Sequence, residues 1–314
     1  MLINYLKLIR IQNLAIIALT MYLMRWLIIY PVLKFNGFDF QFSNIDFLLL
    51  TLATIFITAG GYVINDYFDR KTDLINCPKK VIVGNKIKRR HAMILHNLLN
   101  IIGVGLGFYV AYKINLINIG FIFPIISGIL WFYSTTYKNQ IFAGNIIVAI
   151  LIAIIPIMPV LFEIPVLNTK YNQILINNNA NFNVLFFFTL GFSFFAFLTN
   201  LTREIIKDIE DIKGDKEYNR RTLPIVYGIK NTKIIIQTLI YITIIAIAFT
   251  TIIYLNDKYT IIYFTVGLII PLIFLSYKIF KAKYPKDFNF ASTFLKIIML
   301  AGLGYSILIY TSLQ

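Results

Sequence analysis

The acidic side chains of this sequence are concentrated in two short segments at a repeated spacing. Of its 14 Asp and Glu residues, nine lie within residues 65–73 and 203–217. Two triplets share the spacing i, i+3 and i+7: Asp66, Asp69 and Asp73, then Asp208, Asp211 and Asp215. Residues at this spacing lie within roughly 60° of one another around a helix. Each triplet is therefore predicted to form a row of carboxylates on one helix face.

Such a row needs a cation, because like charges one turn apart on a helix repel each other. Hard oxygen ligands suit Mg²⁺, which binds through one or two carboxylates and completes its coordination with water and substrate phosphate. If the two rows face each other, they form a site for Mg²⁺ and a diphosphate. The charge on a departing diphosphate would be stabilised by the metal and by interleaved basic residues. These are Arg70, Lys71, Arg203, Lys207, Lys213, Arg220 and Arg221. The alternative is that the acidic groups simply pair with neighbouring Lys and Arg.

The elements that must position these carboxylates are membrane helices. The chain has 314 residues, is 59% hydrophobic and 14% charged, and has a mean hydropathy of +0.76, which is typical of an integral membrane protein. The apolar runs are continuous rather than alternating, which disfavours a transmembrane barrel. The sequence predicts an all-α, polytopic protein with one domain over residues 1–314. Runs long enough to cross a bilayer lie near residues 12–33, 46–66, 92–112, 115–133, 143–162, 182–203, 233–255, 260–279 and 292–312.

The formal net charge of +15 follows this topology and does not indicate nucleic-acid binding. Lys and Arg are concentrated on one side of the nine runs, chiefly in residues 67–91, 203–233 and 278–291. This positive-inside pattern places the N-terminus and both acidic segments in the cytoplasm, and attraction of anionic membrane lipids is a secondary effect. We expect an integral protein of a bacterial or archaeal cell membrane. Cys77 is the single cysteine, so no intramolecular disulfide can form.

Three motifs resemble the UbiA superfamily of intramembrane prenyltransferases. The stretch "NDYFDRKTD" at 65–73 is similar to the NDxxDxxxD signature of that family, and Asp211 with Asp215 resembles its second, DxxxD motif. The stretch "WFYSTTYKNQIFAGN" at 131–145 is similar to its Tyr-rich segment ending in Lys, followed by Gly-Asn. The resemblance covers nearly the whole chain. It implies a bundle of nine transmembrane helices with a central cavity that opens laterally to lipid.

The resemblance also implies a chemistry and a set of site residues. The reaction would be Mg²⁺-dependent transfer of a polyprenyl group from a prenyl diphosphate, through an allylic carbocation, to a lipid-soluble acceptor in lipid biosynthesis. Both triplets would bind the metal, and Asp69 and Asp211 would also be catalytic. Tyr133 would shield the cation or contact the head group, and Lys138 would contact the diphosphate. Interface anchoring of Tyr133 and snorkelling of Lys138 are the structural alternatives. The other implied substrate-binding residues are Asn65, Arg10, Asn13 and Asn145.

The stretch "TREIIKDIEDIKGDKEYNRRTLPIVYG" at 202–228 resembles one branch of that superfamily, the geranylgeranylglycerol-phosphate geranylgeranyltransferases of ether-lipid synthesis. Arg203 and Lys207 would be cationic partners for the phosphate of that acceptor, a group that a phenolic acceptor lacks. The implied acceptor is geranylgeranylglyceryl phosphate. Prenylation of an aromatic acceptor in a quinone pathway is an alternative. A nine-helix transporter is a more remote one, because transporters place ionisable residues near the bilayer midplane.

Three further segments carry expectations of their own. After the first motif, Val81 and Val83 stand where relatives often have proline. The run GVGLG at 103–107 lies inside an apolar span, which favours small residues for close helix packing over a dinucleotide site. The Asn-rich segment 168–183 is predicted to be a loosely constrained tether on the outer side. Prenyl chain length and oligomeric state are left open.

Overall fold

The computed structural model describes residues 2–313, and nearly all of them lie in helices or short turns. Over that range no β-strand forms, and an isolated bridge joins Val83 and Ile87. Single 3₁₀ turns lie at Pro78–Lys80 and Tyr137–Asn139. The helices, in chain order, are α1 (Leu2–Leu8), α2 (Ile11–Phe35), α3 (Asn44–Asn76), α4 (Arg89–Lys113), α5 (Ile117–Thr135), α6 (Ala143–Ile154), α7 (Met158–Lys170), α8 (Asn172–Asn177), α9 (Asn183–Glu210), α10 (Ile212–Glu217), α11 (Leu223–Val226), α12 (Gly228–Tyr254), α13 (Lys258–Lys281) and α14 (Pro285–Ser312).

The long helices correspond to the expected spans. Between residues 2 and 313, eight helices are long and apolar enough to cross a membrane, and the broken pair α6 and α7 makes a ninth if it counts as one span. This confirms the all-α fold of a polytopic membrane protein. Helix α3 continues well beyond the apolar run predicted at 46–66, as far as Asn76. The first acidic triplet is therefore carried by the same helix that crosses the membrane.

The helices group into two compact units. One comprises Met1–Lys138 and Ile155–Thr189, and the other comprises Asn139–Ile154 and Leu190–Gln314. The first acidic triplet belongs to the first unit and the second triplet to the other. The single domain expected from the sequence stays a prediction.

Glycines allow helices α3, α4 and α5 of the first unit to pack closely. A Cβ atom at Gly103 would lie 2.7 Å from a side-chain carbon of Ile57 and 3.1 Å from the carbonyl oxygen of Ala53, and one at Gly107 would enter the ring of Phe123. Small residues permit this approach between membrane helices. The GVGLG run therefore serves helix packing, as its position inside an apolar span predicts.

A buried ion pair joins two helices of the first unit, α2 and α7. Arg25 and Glu163 are 1% and 0% exposed, and their charged atoms are 3.3 Å apart. Arg25 also donates to the carbonyl oxygen of Phe42 at 2.5 Å and to Oδ1 of Asn44 at 3.1 Å. Glu163 accepts from the backbone N–H of Gln41 at 2.7 Å and of Phe42 at 3.1 Å. The pair therefore fixes the loop between α2 and α3 against α7.

The Asn-rich segment 168–183 is not the loose tether that its composition predicts. It contains α8, and its Tyr171 and Phe182 pack on Phe38 with ring centroids 4.9 and 5.1 Å apart. The hydroxyl of Tyr171 also accepts from Nε2 of Gln41 at 3.2 Å. The prediction is wrong because a few aromatic contacts with a distant loop order a segment whose local composition is polar.

The loop between α3 and α4 is folded around apolar side chains. Val81, Val83 and Ile87 are buried, and the N–H of Gly84 donates to the carbonyl oxygen of Ile87 at 2.7 Å. Gly84 has a φ of +85°, and the side chain of Arg70 lies against it. The two valines that replace proline are thus core residues of this loop.

In the second unit, α9 packs on α14 through a glycine. The ring of Phe195 occupies the place where a side chain at Gly302 would lie. The Ser193 hydroxyl of α9 donates to the carbonyl oxygen of Ala153, and the Thr260 and Tyr305 hydroxyls are 2.9 Å apart. The contacts of Phe195 and Ser193 support α9, the helix that carries Asp208.

Candidate functional site

The first acidic triplet begins with a carboxylate that is held by an arginine from the N-terminal segment. Nη2 of Arg10 donates to Oδ1 of Asp66 at 2.7 Å, and the guanidinium lies 4.8 Å from the ring centroid of Tyr62. Nδ2 of Asn13 donates to the Tyr62 hydroxyl at 3.4 Å. Arg10 and Asn13, which the sequence predicts to bind substrate, are therefore both placed beside the first motif.

Arg10 adopts a backbone conformation that favours glycine. It stands between α1 and α2 with φ 54° and ψ 56°, in the left-handed region, which costs a non-glycine residue about 1–2 kcal/mol. Burial lowers the pKa of Arg10, but the charge of Asp66 and smaller contributions from Tyr62 and Asp69 outweigh it, so the pKa lies above its ordinary value. The guanidinium of Arg10 therefore keeps its positive charge beside Asp66.

Lys138 brings together the asparagine and the second aspartate of the first motif. It lies in the 3₁₀ turn after α5, and its Nζ donates to Oδ1 of Asn65 at 3.0 Å and forms an ion pair with Asp69. Asp69 is 3% exposed, so its charge has to be balanced by a nearby cation. The Lys138 ammonium also lies 6.0 Å from the ring centroid of Tyr133. Lys138 therefore points into the first motif, and not outward to the membrane interface.

The third aspartate of the first motif lies at the end of α3. Asp73 is half-buried, and its carbonyl oxygen accepts from the N–H of Cys77 at 2.8 Å, which closes the last turn of the helix. Asp66, Asp69 and Asp73 are all carried by α3. The helical row predicted from the spacing is present for this triplet.

The second triplet is not carried by one continuous helix, as the same spacing would predict. Helix α9 ends at Glu210 and α10 begins at Ile212, so Asp211 lies at the break. Backbone bonds still bracket the break: Asp211 N–H donates to the Lys207 carbonyl oxygen at 2.8 Å, and Asp215 N–H donates to that of Asp211 at 3.2 Å. The α-helix is interrupted at Asp211, which has φ −93° and ψ 6°, and spacing alone does not indicate this interruption.

The other two aspartates of the second triplet have defined partners. Nδ2 of Asn145, at the start of α6, donates to Oδ2 of Asp208 at 2.9 Å. Asp215 is buried, and its Oδ1 accepts from Nη1 of Arg220 at 3.1 Å. Asn145 is thus placed to orient a carboxylate of the second motif.

Both predicted acceptor-phosphate ligands share a carboxylate that sequence reasoning did not select. Oε1 of Glu204 accepts from Nη1 of Arg203 at 3.1 Å and from Nζ of Lys207 at 2.6 Å. A signal was available, because Glu and Lys three residues apart are neighbours on a helix. Tyr62 was also not selected, because its contacts with Arg10 and Asn13 join residues that are distant in sequence. Arg220 was expected to stabilise the diphosphate, and its pairing with Asp215 across a turn was not predicted.

The carboxylates fit Mg²⁺ shared with a phosphate ligand better than a closed metal cage. Among residues 2–313, no three His, Cys, Asp or Glu side chains are grouped to hold one ion. A protein Mg²⁺ site does not need such a group, since one or two carboxylates and substrate phosphates suffice. Asp66 and Asp69 are hard oxygen donors whose charges are balanced by Arg10 and Lys138. This donor set matches the chemistry of Mg²⁺.

Comparison with known sequences gives consistent matches. The profile of the UbiA prenyltransferase family matches residues 38–300. Digeranylgeranylglyceryl phosphate synthase of Methanosphaera stadtmanae is 31% identical over 259 residues, covering 82% of this chain and 85% of the relative. The synthase of the same name from Methanobrevibacter smithii is 31% identical over 258 residues, covering 82% and 84%.

Solved structures share the fold. A structure described as digeranylgeranylglyceryl phosphate synthase in membranes has a TM-score of 0.64 and 24% identity, and the match covers 98% of both chains. A UbiA homolog from Archaeoglobus fulgidus, solved with DMAPP and Mg²⁺, has a TM-score of 0.61 and 17% identity, covering 98% of this chain and 99% of the other. At these identities the likeness concerns the arrangement of helices.

Proposed function

The chain belongs to the UbiA prenyltransferase family, and from this premise we propose that it prenylates geranylgeranylglyceryl phosphate with a polyprenyl diphosphate as donor. It is a prenyltransferase, and this membership argues against the transporter alternative. The main support for this acceptor is that relatives matching over most of the chain share the name digeranylgeranylglyceryl phosphate synthase. Cations at Arg203 and Lys207 support an acceptor that bears a phosphate.

We assign Mg²⁺ binding to the two triplets: Asp66, Asp69 and Asp73, with Asp208, Asp211 and Asp215. When bound, Mg²⁺ would neutralise the diphosphate and stabilise the charge that develops as it leaves. The Archaeoglobus fulgidus homolog binds DMAPP together with Mg²⁺, which supports this assignment. Asn145 supports it further by fixing one carboxylate oxygen of Asp208.

Lys138 and Arg10 supply positive charge to the same diphosphate. In the free protein their charges are balanced by Asp69 and Asp66, so both side chains are already oriented when the substrate arrives. Asn65, which accepts from Lys138, fixes the position of that ammonium group. Asn13 acts through Tyr62 on the guanidinium of Arg10.

The transfer step exchanges one C–O bond for another. The bond between the allylic carbon and the diphosphate oxygen breaks, and its electron pair leaves with the diphosphate. The hydroxyl oxygen of the acceptor then bonds to the allylic carbon and releases its proton. The aromatic ring of Tyr133, close to Lys138, would stabilise the cationic carbon through its π face.

We place the N-terminus and both acidic motifs on the cytoplasmic side of an archaeal or bacterial cell membrane. The basic loop segments support this orientation. Prenyl diphosphates are water-soluble at the head and apolar in the tail, so a site at this boundary suits them.

A label-transfer assay tests the proposal. Purified protein in lipid would receive labelled geranylgeranyl diphosphate and Mg²⁺, with geranylgeranylglyceryl phosphate in one tube and an aromatic acid in another. Label is expected on the glyceryl phosphate. Label on the aromatic acid alone would keep the chemistry and overturn the acceptor.

A further inference from the structure

One carboxylate in α9 binds two cations through a single oxygen atom. Oε1 of Glu204 lies 3.1 Å from Nη1 of Arg203 and 2.6 Å from Nζ of Lys207. The side chains are 14%, 14% and 29% exposed in the order Glu204, Arg203 and Lys207, so water screens this contact only partly. The cluster has one negative and two positive charges.

Its position on the helix links the cluster to the second motif. Glu204, Asp208 and Asp211 follow one another at i, i+4 and i+7, and Glu204 lies one turn further toward the membrane. Two neighbouring cations already bind its Oε1. Glu204 therefore continues the acidic row in sequence, but its carboxylate forms ion pairs with Arg203 and Lys207.

Arg203 has capacity to bind a further acceptor. Three arginine Nε atoms in residues 2–313 are buried without a hydrogen-bond partner, those of Arg25, Arg70 and Arg203, and the last belongs to this cluster. A buried donor without a partner is unfavourable, and an oxygen atom of a ligand would satisfy it. A phosphate has several such oxygens and favours paired cations.

We infer that Glu204 is a specificity-determining residue that acts as an internal counter-anion in a phosphate site formed by Arg203 and Lys207. This inference rests on the proposed function and adds to it the means by which the acceptor phosphate is both bound and released. Because the product keeps the phosphate of the acceptor, the two bind to the same cations. Glu204 competes with both and prevents the product from being held too tightly.

The test compares Glu204→Gln with a matched control, Glu210→Gln, near the end of the same helix. Glu210 contacts Asn289 at 2.8 Å and no cation of this cluster. In Glu204→Gln, the KM for geranylgeranylglyceryl phosphate should fall by about tenfold, and the product inhibition constant should fall with it. The kcat should also fall, because product release slows. The KM for a phosphate-free acceptor, geranylgeranylglycerol, should not change, and Glu210→Gln should match the wild type.

An unchanged or raised KM for the phosphate acceptor in Glu204→Gln overturns the inference. If that variant does not insert into the membrane, Glu204→Asp provides the test instead. Its side chain is shorter by one methylene group, so the carboxylate lies further from the two cations. Its KM should fall by a smaller factor of about two to three, and no fall again overturns the inference. A wild-type protein that prenylates only an aromatic acid would instead overturn the proposed function, and the inference with it.

Discussion

At the scale of single residues, the first motif is organised by buried charge balance. Asp69 is almost completely buried and pairs with Lys138, and Asp66 pairs with Arg10. Removing one member of a buried ion pair leaves the other charge without a partner, which is more costly than the pair itself is stabilising. Each of these carboxylates therefore fixes the position of a cation, in addition to the metal binding that we propose for it.

Asp69→Ala should reduce kcat by at least about 100-fold, because both the metal ligand and the partner of Lys138 are lost. Asp211→Ala should do the same through the metal. The label-transfer assay measures both. Asp46→Asn, at the opposite end of α3, is the control and should keep normal activity. Retained turnover in either Asp variant, with normal amounts of protein in the membrane, would contradict the metal assignment.

The types and spacing of these residues could be read from the sequence, but their partners could not. Oxygen donors at i, i+3 and i+7 indicate a cation site wherever the chain places them. The contact between Arg10 and Asp66 joins residues 56 positions apart, and that between Lys138 and Asp69 joins residues 69 apart. Such contacts depend on how helices pack, and no local pattern encodes them.

At the scale of helices, the close packing of α4 depends on which glycines face a neighbour. Gly103 and Gly107 lie against α3 and α5, whereas Gly105 has no atom within 4 Å of its added Cβ position. The three glycines are equivalent in sequence pattern and differ only in direction. Spacing could predict a packing role for the run, but only the structure distinguishes its members.

Gly107→Ala should lower the free energy of unfolding by about 1–3 kcal/mol, because the new methyl group overlaps the ring of Phe123. Gly105→Ala, two residues away, should be neutral or stabilising by up to about 1 kcal/mol, since alanine favours the helix. Thermal unfolding in detergent, followed by intrinsic fluorescence, compares the two. Equal shifts in Tm would contradict the packing described for α4.

Helix boundaries were less predictable than the existence of helices. All of the expected spans correspond to observed helices, since twenty apolar residues have few alternatives in a bilayer. The break at Asp211 and the ordered segment around α8 were not predicted. Both depend on contacts outside the local sequence, such as those of Tyr171 with Phe38.

At the scale of the whole molecule, charge on the loops predicts one orientation. Residues 74–162 contain no Asp or Glu, whereas Lys and Arg are frequent in 79–90. The loop there is folded, with its lysines exposed around a small apolar core. A basic loop of this kind resists transfer across the bilayer and so holds the orientation of the adjacent helices.

Labelling with a membrane-impermeant maleimide tests this orientation. In a Cys77→Ser background, Lys86→Cys should react only in inverted vesicles, because the basic residues of the loop predict that it faces the cytoplasm. Asn178→Cys, exposed in the outer segment, should react only in right-side-out vesicles. The reverse pattern would show that the chain is oriented the other way.

The ion pair between Arg25 and Glu163 has a consequence for how the protein is made. Its two members are 138 positions apart, so the ribosome synthesises the arginine well before the glutamate. An arginine at the centre of an inserting helix costs about 2.5–3.5 kcal/mol when it has no counter-ion. The first span therefore enters the membrane before the positive charge of Arg25 can pair with Glu163 of α7. Until α7 arrives, only nearby oxygens such as those of Phe42 and Asn44 can hold that arginine, which makes late insertion of α7 a step that completes the assembly of the first span.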